Sequence, residues 1–107
     1  MSPYPCPCCG FLVFDDPPGS FDICQVCGWE DDISQLRFPT MGGAQAPLVD
    51  CQRAASERSV VASGMNVERD SAWRPLDPER DAIEVPEPGV DYGMTYPHNP
   101  TELYYWR

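Results

Sequence analysis

Cys6-Pro7-Cys8-Cys9-Gly10 and Cys24-Gln25-Val26-Cys27-Gly28 are two Cys-x-x-Cys-Gly turns with fourteen residues between Cys9 and Cys24. Two short turns that each offer a pair of sulfurs meet the needs of a tetrahedral ion, with four thiolates at about 2.3 Å and little ordered backbone between them. The glycine after each second cysteine fits this reading. The residue that closes so tight a turn commonly needs a positive φ, which glycine adopts without steric cost. The expected ligands are Cys6, Cys9, Cys24 and Cys27, and the expected ion is Zn²⁺, with iron as the alternative on the same donor set.

Cys8 is the extra thiol of the first turn. Only Cys6 with Cys9 reproduces the two-residue gap of Cys24 with Cys27, so Cys8 is expected to point away from the ion, against the alternatives of a Cys6/Cys8 or Cys8/Cys9 pair. A neighbouring dianionic cluster would raise its pKa and blunt it as a redox sensor. The sixth cysteine, Cys51, reads as a small buried hydrophobe or as a spare thiol.

At 107 residues the chain has room for one domain plus tails, and a core of that size is marginal unless a metal supports it. The formal charge is −10, and four ionised thiolates around a divalent ion add about −2. There are seven Arg, no Lys and no basic run, so nucleic acid is excluded as an expected partner. Met1 to Pro5 has neither a basic nor an apolar signal region, and no apolar run approaches the roughly 18 residues of a membrane span. The expectation is a cytoplasmic chain without membrane contact. In that compartment paired cysteines read as metal ligands in preference to redox thiols or disulfides.

Phe11-Leu12-Val13-Phe14 and Phe21-Asp22-Ile23 are β-prone stretches around the turn signal Asp15-Asp16-Pro17-Pro18-Gly19-Ser20. They predict a β-hairpin over 6–28 that carries one metal turn at each end, so that metal binding and hairpin folding become one event. Trp29 is expected to pack over the second turn. Glu30-Asp31-Asp32 reads as a solvated acidic turn, because three adjacent carboxylates cannot all face one cation.

From Pro47 to Ser63 the pattern is helical. Pro47 suits the first position, Asp50 lies near the positive end of the dipole, and Gly64 stands where a C-terminal cap belongs. Leu48, Cys51, Ala55 and Val61 or Ala62 form its apolar stripe, and Arg53 pairs with Glu57 at i, i+4. Met65 to Asp70 reads as a short strand, and Asp77-Pro78-Glu79 as the start of a helical turn through Ile83. The prolines of 84–107 leave only turns and extended pieces. The aromatics Tyr92, Tyr96, Tyr104, Tyr105 and Trp106 imply that this segment folds back on the core, the alternative being a partner-binding strip. The expected organisation is a metal-binding unit over 1–83 and a Pro/Tyr-rich segment over 84–107.

The N-terminal half resembles the bacterial cysteine-rich CPCC family. The resemblance rests on Cys6-Pro7-Cys8-Cys9-Gly10, Pro17-Pro18-Gly19-Ser20-Phe21, Ile23-Cys24-Gln25-Val26-Cys27-Gly28-Trp29-Glu30-Asp31-Asp32 and Gly42-Gly43-Ala44, and it covers about Cys6 to Gly64. Gln45 departs from it, standing where Asn is expected. The resemblance implies a small zinc-binding domain with no assigned activity. The two Cys-x-x-Cys-Gly turns are also similar to the iron site of rubredoxin-like domains.

The resulting expectation is a small α+β fold: a zinc-ribbon or rubredoxin-like β-hairpin with two cysteine knuckles, one helix packed on it, and an irregular aromatic-rich tail. An enzyme is not expected. His98 is the only histidine, a closed four-thiolate sphere leaves no position for a reacting water, and a Cys8 or Cys51 nucleophile paired with His98 is the weaker reading. The function expected is a structural zinc module that binds another protein, the alternative being a rubredoxin-like electron carrier.

Overall fold

The computed structural model describes residues 2–57 and 66–107. Two cysteine knuckles organise the first third. In the first, Gly10 N–H donates to Cys6 O at 2.7 Å and Cys6 N–H donates to Phe11 O at 2.8 Å; in the second, Gly28 N–H donates to Cys24 O at 2.9 Å and Cys24 N–H to Trp29 O at 2.8 Å. The same turn is therefore built twice. Gly10 and Gly28 close the two turns at φ of +81° and +84°, the left-handed region in which a β-carbon is disfavoured.

Closing each knuckle sets the chain on either side antiparallel. Strand β1 (Tyr4–Pro5) pairs with β2 (Leu12–Phe14) across the first knuckle, with an irregularity between Tyr4 and Pro5, and a single bridge joins Ile23 to Glu30 across the second. This corrects the expected hairpin, in which 11–14 would pair with 21–23. A knuckle brings its flanks together within about ten residues, whereas the alternative pairing needs a turn through Pro17 and Pro18 and a Phe21 that continues a strand. Phe21 has φ +61° and cannot do so. The other edge of β2 meets the chain around Arg69: Leu12 N–H donates to Glu68 O and Asp70 N–H to Gly10 O, each at 2.7 Å. The strand expected over Met65 to Asp70 is reduced to the bridge of Arg69 with Phe11, and Met65 itself lies outside the described residues.

Helix α1 (Ile33–Arg37) did not stand out in the sequence. Asp32 caps it, its carboxylate accepting from Ser34 N–H at 2.9 Å, and Arg37 sits in its last turn. Its Gln35 is fully buried, and the side-chain Nε2 lies 3.1 Å from the carbonyls of Met41, Gln45 and Ala46. One amide thus holds the whole loop before the next helix. Gly43 follows from this arrangement, since a β-carbon there would come within 3.0 Å of the Gln35 amide carbon.

Helix α2 (Leu48–Glu57) begins at the expected place. The expected residues 58–63 and the Gly64 cap lie outside the described residues. Leu48 and Ala55 face the core, Cys51 is half-buried, and Arg53 lies 3.5 Å from Asp50 instead of Glu57. The helical turn expected to run from Asp77 through Ile83 is a single turn that ends at Asp81, where Arg80 N–H and Asp81 N–H donate to Asp77 O. The Asp81 carboxylate accepts from Asp77 N–H and, at 2.6 and 2.8 Å, from Arg74.

The C-terminal residues lie in the same core as the cysteines. Tyr104 and Trp106 are buried and stacked, with ring centroids 4.6 Å apart. Trp106 Nε1 donates to Asp70 at 3.0 Å, and Arg37 makes a two-point contact with Glu84 at 2.9 and 3.0 Å beneath the Tyr96 ring. Aromatic burial of this kind contributes about 1.5–3 kcal/mol per ring to a core that has few other large side chains.

Candidate metal centre

The structure brings Cys6, Cys9, Cys24 and Cys27 together, with all four Sγ atoms within 4.8 Å of one another. Cys6 and Cys27 lie 3.6 Å apart and Cys9 and Cys24 3.7 Å apart, each pair spanning the two knuckles. A tetrahedron with metal–sulfur bonds of about 2.3 Å has edges of about 3.8 Å. These two separations are close to that edge and the other four lie within 4.8 Å, so the four thiols are spaced to hold one metal ion. The donor set is soft and all-sulfur, which favours zinc or iron over calcium or magnesium.

The electrostatics point the same way. Burial holds the Cys6 thiol well above its ordinary pKa, while the neighbouring sulfurs, Cys24 first, pull Cys27 far below its own. Thiols packed this closely cannot all ionise without a cation between them, and metal binding would expel their protons. The Cys24 sulfur is already solvated by the chain, with the N–H groups of Val26 and Cys27 at 3.3 and 3.5 Å. These donors stabilise a thiolate, and the knuckle geometry supplies them.

Cys8 stands outside the four. It is 3% exposed, and contact with Cys27 first, then burial, raises its thiol. Cys8 and Cys51 both line a cavity of about 340 Å³ together with Cys27, Trp29, Gln45 and Glu57. Cys51 Sγ donates to Ala46 O at 3.3 Å, a contact within its own helix start. Trp29 is buried beside the second knuckle, as its position predicts.

The backbone of the knuckles is held by side chains that carry no metal-binding signature. Pro7 O accepts from Gln52 Nε2 and from Trp73 Nε1, each at 3.0 Å, and Cys9 O accepts from Arg69 at 3.0 Å. Gln52 also accepts from Leu76 N–H at 2.9 Å and contacts Tyr105 Oη at 2.7 Å. One buried amide therefore ties α2, the first knuckle, residue 76 and the C-terminal segment together. Trp73 lies flat on Gly10, so that a β-carbon at Gly10 would fall 2.5 Å from its ring. On the second knuckle Gln45 mimics a strand, accepting from Glu30 N–H at 2.9 Å and donating to Glu30 O at 2.7 Å. The longer amide at the position where Asn was expected makes both bonds.

The acidic turn is not wholly solvated. Asp31 is 1% exposed, and its carboxylate accepts from Ser20 Oγ at 2.7 Å and Ser20 N–H at 3.2 Å. Burial raises its pKa against the pull of those bonds. The sequence signals that were missed are Asp32 as a helix cap and Ser20 as a partner for Asp31; the first is a recognisable local pattern, the second is not. His98 is exposed in the C-terminal segment. No helix among the described residues is long and apolar enough to cross a membrane.

A search of curated proteins returns no match. The family model for cysteine-rich CPCC proteins matches residues 4–71, which contain both knuckles, α1 and α2, and the chain belongs to that family.

Proposed function

We propose that this protein is a zinc-ribbon-like module in which one Zn²⁺ on Cys6, Cys9, Cys24 and Cys27 is structural, and whose surface binds another protein in the cytoplasm. The observation that carries the reading is the four-sulfur cluster, all within 4.8 Å, with two edges close to those of a tetrahedral site and with core side chains packed around it. A zinc held by four thiolates keeps no position for substrate or water, so its contribution is to folding, and the chain is read as a non-enzyme. The ion supplies charge neutralisation and cross-linking; the chain's own N–H groups and the Gln52, Trp73 and Arg69 contacts set the knuckle geometry. A net charge of −10 without a basic run favours a protein partner over nucleic acid.

Iron on the same thiolates, with electron transfer as the function, is the competing reading. Elemental analysis and a visible spectrum on protein produced without forced metal loading separate the two. One zinc per chain and a colourless sample are expected. A red, iron-loaded sample that can be reduced and reoxidised refutes the zinc assignment.

A further inference from the structure

Phe21 is, among the described residues, the only non-glycine with a positive φ, at +61°. A bulky aromatic in the left-handed region is a genuine outlier, and such strain persists only where surrounding bonds impose it. Those bonds are identifiable. Phe21 N–H donates to Asp31 O at 3.1 Å, Asp31 N–H to Asp22 O at 2.9 Å, and the buried Asp31 carboxylate holds Ser20 through both its hydroxyl and its N–H. Ser20 Oγ in turn accepts from Asp22 N–H at 3.3 Å.

The ring is not part of the core. Phe21 is 57% exposed and stands outside the core cluster, and Ile23, two residues on, is 61% exposed. Gly or Asn at position 21 would satisfy the same backbone without strain. A strained turn, clamped by a buried carboxylate, therefore leaves Phe21 exposed two residues from the exposed Ile23. Ile23 is bridged directly opposite Glu30, so its exposed side chain has a carboxylate for a neighbour. From Asp15 to Asp32 the chain carries no Arg or Lys and six carboxylates; with Asp31 buried and Asp32 capping α1, the four others are Asp15, Asp16, Asp22 and Glu30.

We propose that the exposed Phe21 and Ile23, with Asp22 between them and Glu30 opposite Ile23, are two apolar contact points in an acidic setting, and that they dock on a protein partner whose apolar pocket is bordered by Lys or Arg. The inference rests on the reading of this chain as a metal-supported interaction module and names the surface and the partner chemistry. The acidic setting selects the occupant: an anionic membrane surface, a nucleic acid or a second copy of this acidic chain would each meet like charge, whereas a basic rim gains from the contact.

The test uses the full chain with its metal, a random dodecapeptide array, and the variants Phe21→Asn and Ile23→Ser. Retained peptides are expected to be enriched in Lys or Arg together with Leu, Ile, Met or Phe. Binding of one such labelled peptide, followed by fluorescence anisotropy, should weaken at least about tenfold in each variant. It should also weaken as salt rises from about 0.05 to about 0.3 M. Phe21→Asn should keep its metal and melt at or above the wild-type temperature, because Asn tolerates the left-handed conformation. A fall in Tm of more than about 5 °C in Phe21→Asn makes the ring a structural element and overturns the proposal. So do retained peptides without the basic and apolar signature, variants that bind as well as wild type, or a wild-type dimer that the variants abolish. Metal content is read on every sample. Full folding without metal would sink the module reading while leaving the peptide result to stand or fall separately.

Discussion

Gly10 and Gly28 offer a matched pair for measuring what the first knuckle owes to Trp73. Both close a Cys-x-x-Cys turn at nearly the same φ, +81° and +84°. Their surroundings differ: a β-carbon at Gly28 meets nothing within 4 Å, whereas at Gly10 it meets Trp73 Cδ2 at 2.5 Å and Cγ at 2.7 Å. Gly28→Ala should therefore lose only the left-handed backbone term of about 1–2 kcal/mol, reduced by the loss of unfolded-chain entropy of about 0.4–1 kcal/mol. Gly10→Ala carries the same backbone term and must also push the indole away. That breaks the 3.0 Å bond from Trp73 Nε1 to Pro7 O, at about 1 kcal/mol, and opens the ring's contact with the knuckle, at about another 1 kcal/mol. The difference between the two variants should be about 2 kcal/mol. Because folding and metal binding are coupled, it should appear both in urea midpoints of the metal-loaded proteins and as an apparent metal affinity lower by about 30-fold in Gly10→Ala, measured by chelator competition. Equal losses in the two variants would refute the role assigned to Trp73.

Cys24→Ser should abolish stoichiometric metal binding and the cooperative melt, while Cys8→Ser should leave metal content at one ion per chain; elemental analysis after gel filtration checks both, and metal loss in Cys8→Ser would remove Cys6 or Cys9 from the ligand set. Asp31, its pKa raised by burial, binds its proton more tightly folded than unfolded, so it favours folding below its unfolded value of about 3.9 and this advantage is lost as pH rises through the folded value. The stability of wild type relative to Asp31→Asn should thus decline as pH rises from about 4, and a difference that is flat with pH would contradict the assignment. Gln52→Leu leaves the buried Leu76 N–H without its side-chain acceptor and should destabilise by about 1–3 kcal/mol. If Gln52 also couples α2 to the C-terminal segment, its effect and that of Tyr105→Phe should be non-additive in a double-mutant cycle.

The knuckles were legible because every bond that forms them is local. Each N–H finds its carbonyl four or five residues away, and the glycine that permits this is visible at a fixed spacing. The helix start at Pro47 and the gathering of four cysteines follow from equally short patterns. The error in strand pairing has the same root. The turn signal at Asp15 to Ser20 is real, but Ser20 and Phe21 are claimed by Asp31 before they can extend a strand. A sequence shows a turn more readily than the partner that captures its end.

Three glutamines mark what the tertiary structure alone decided. Gln35, Gln45 and Gln52 look like ordinary polar residues, yet they hold respectively the loop at 41–46, the backbone of Glu30, and the junction of knuckle, helix and C-terminal segment. Their partners lie up to 53 residues away, and an amide can donate and accept in many places, so nothing local selects among them. The burial of Asp31 and the display of Phe21 belong to the same class. By itself the sequence determined which four cysteines come together as a candidate donor set, the two turns that carry them and the acidic character of the chain, because those depend on residue type and short spacing. Only the fold decided which buried amides and carboxylates brace the turns and which apolar side chains face water, because those outcomes depend on long-range packing.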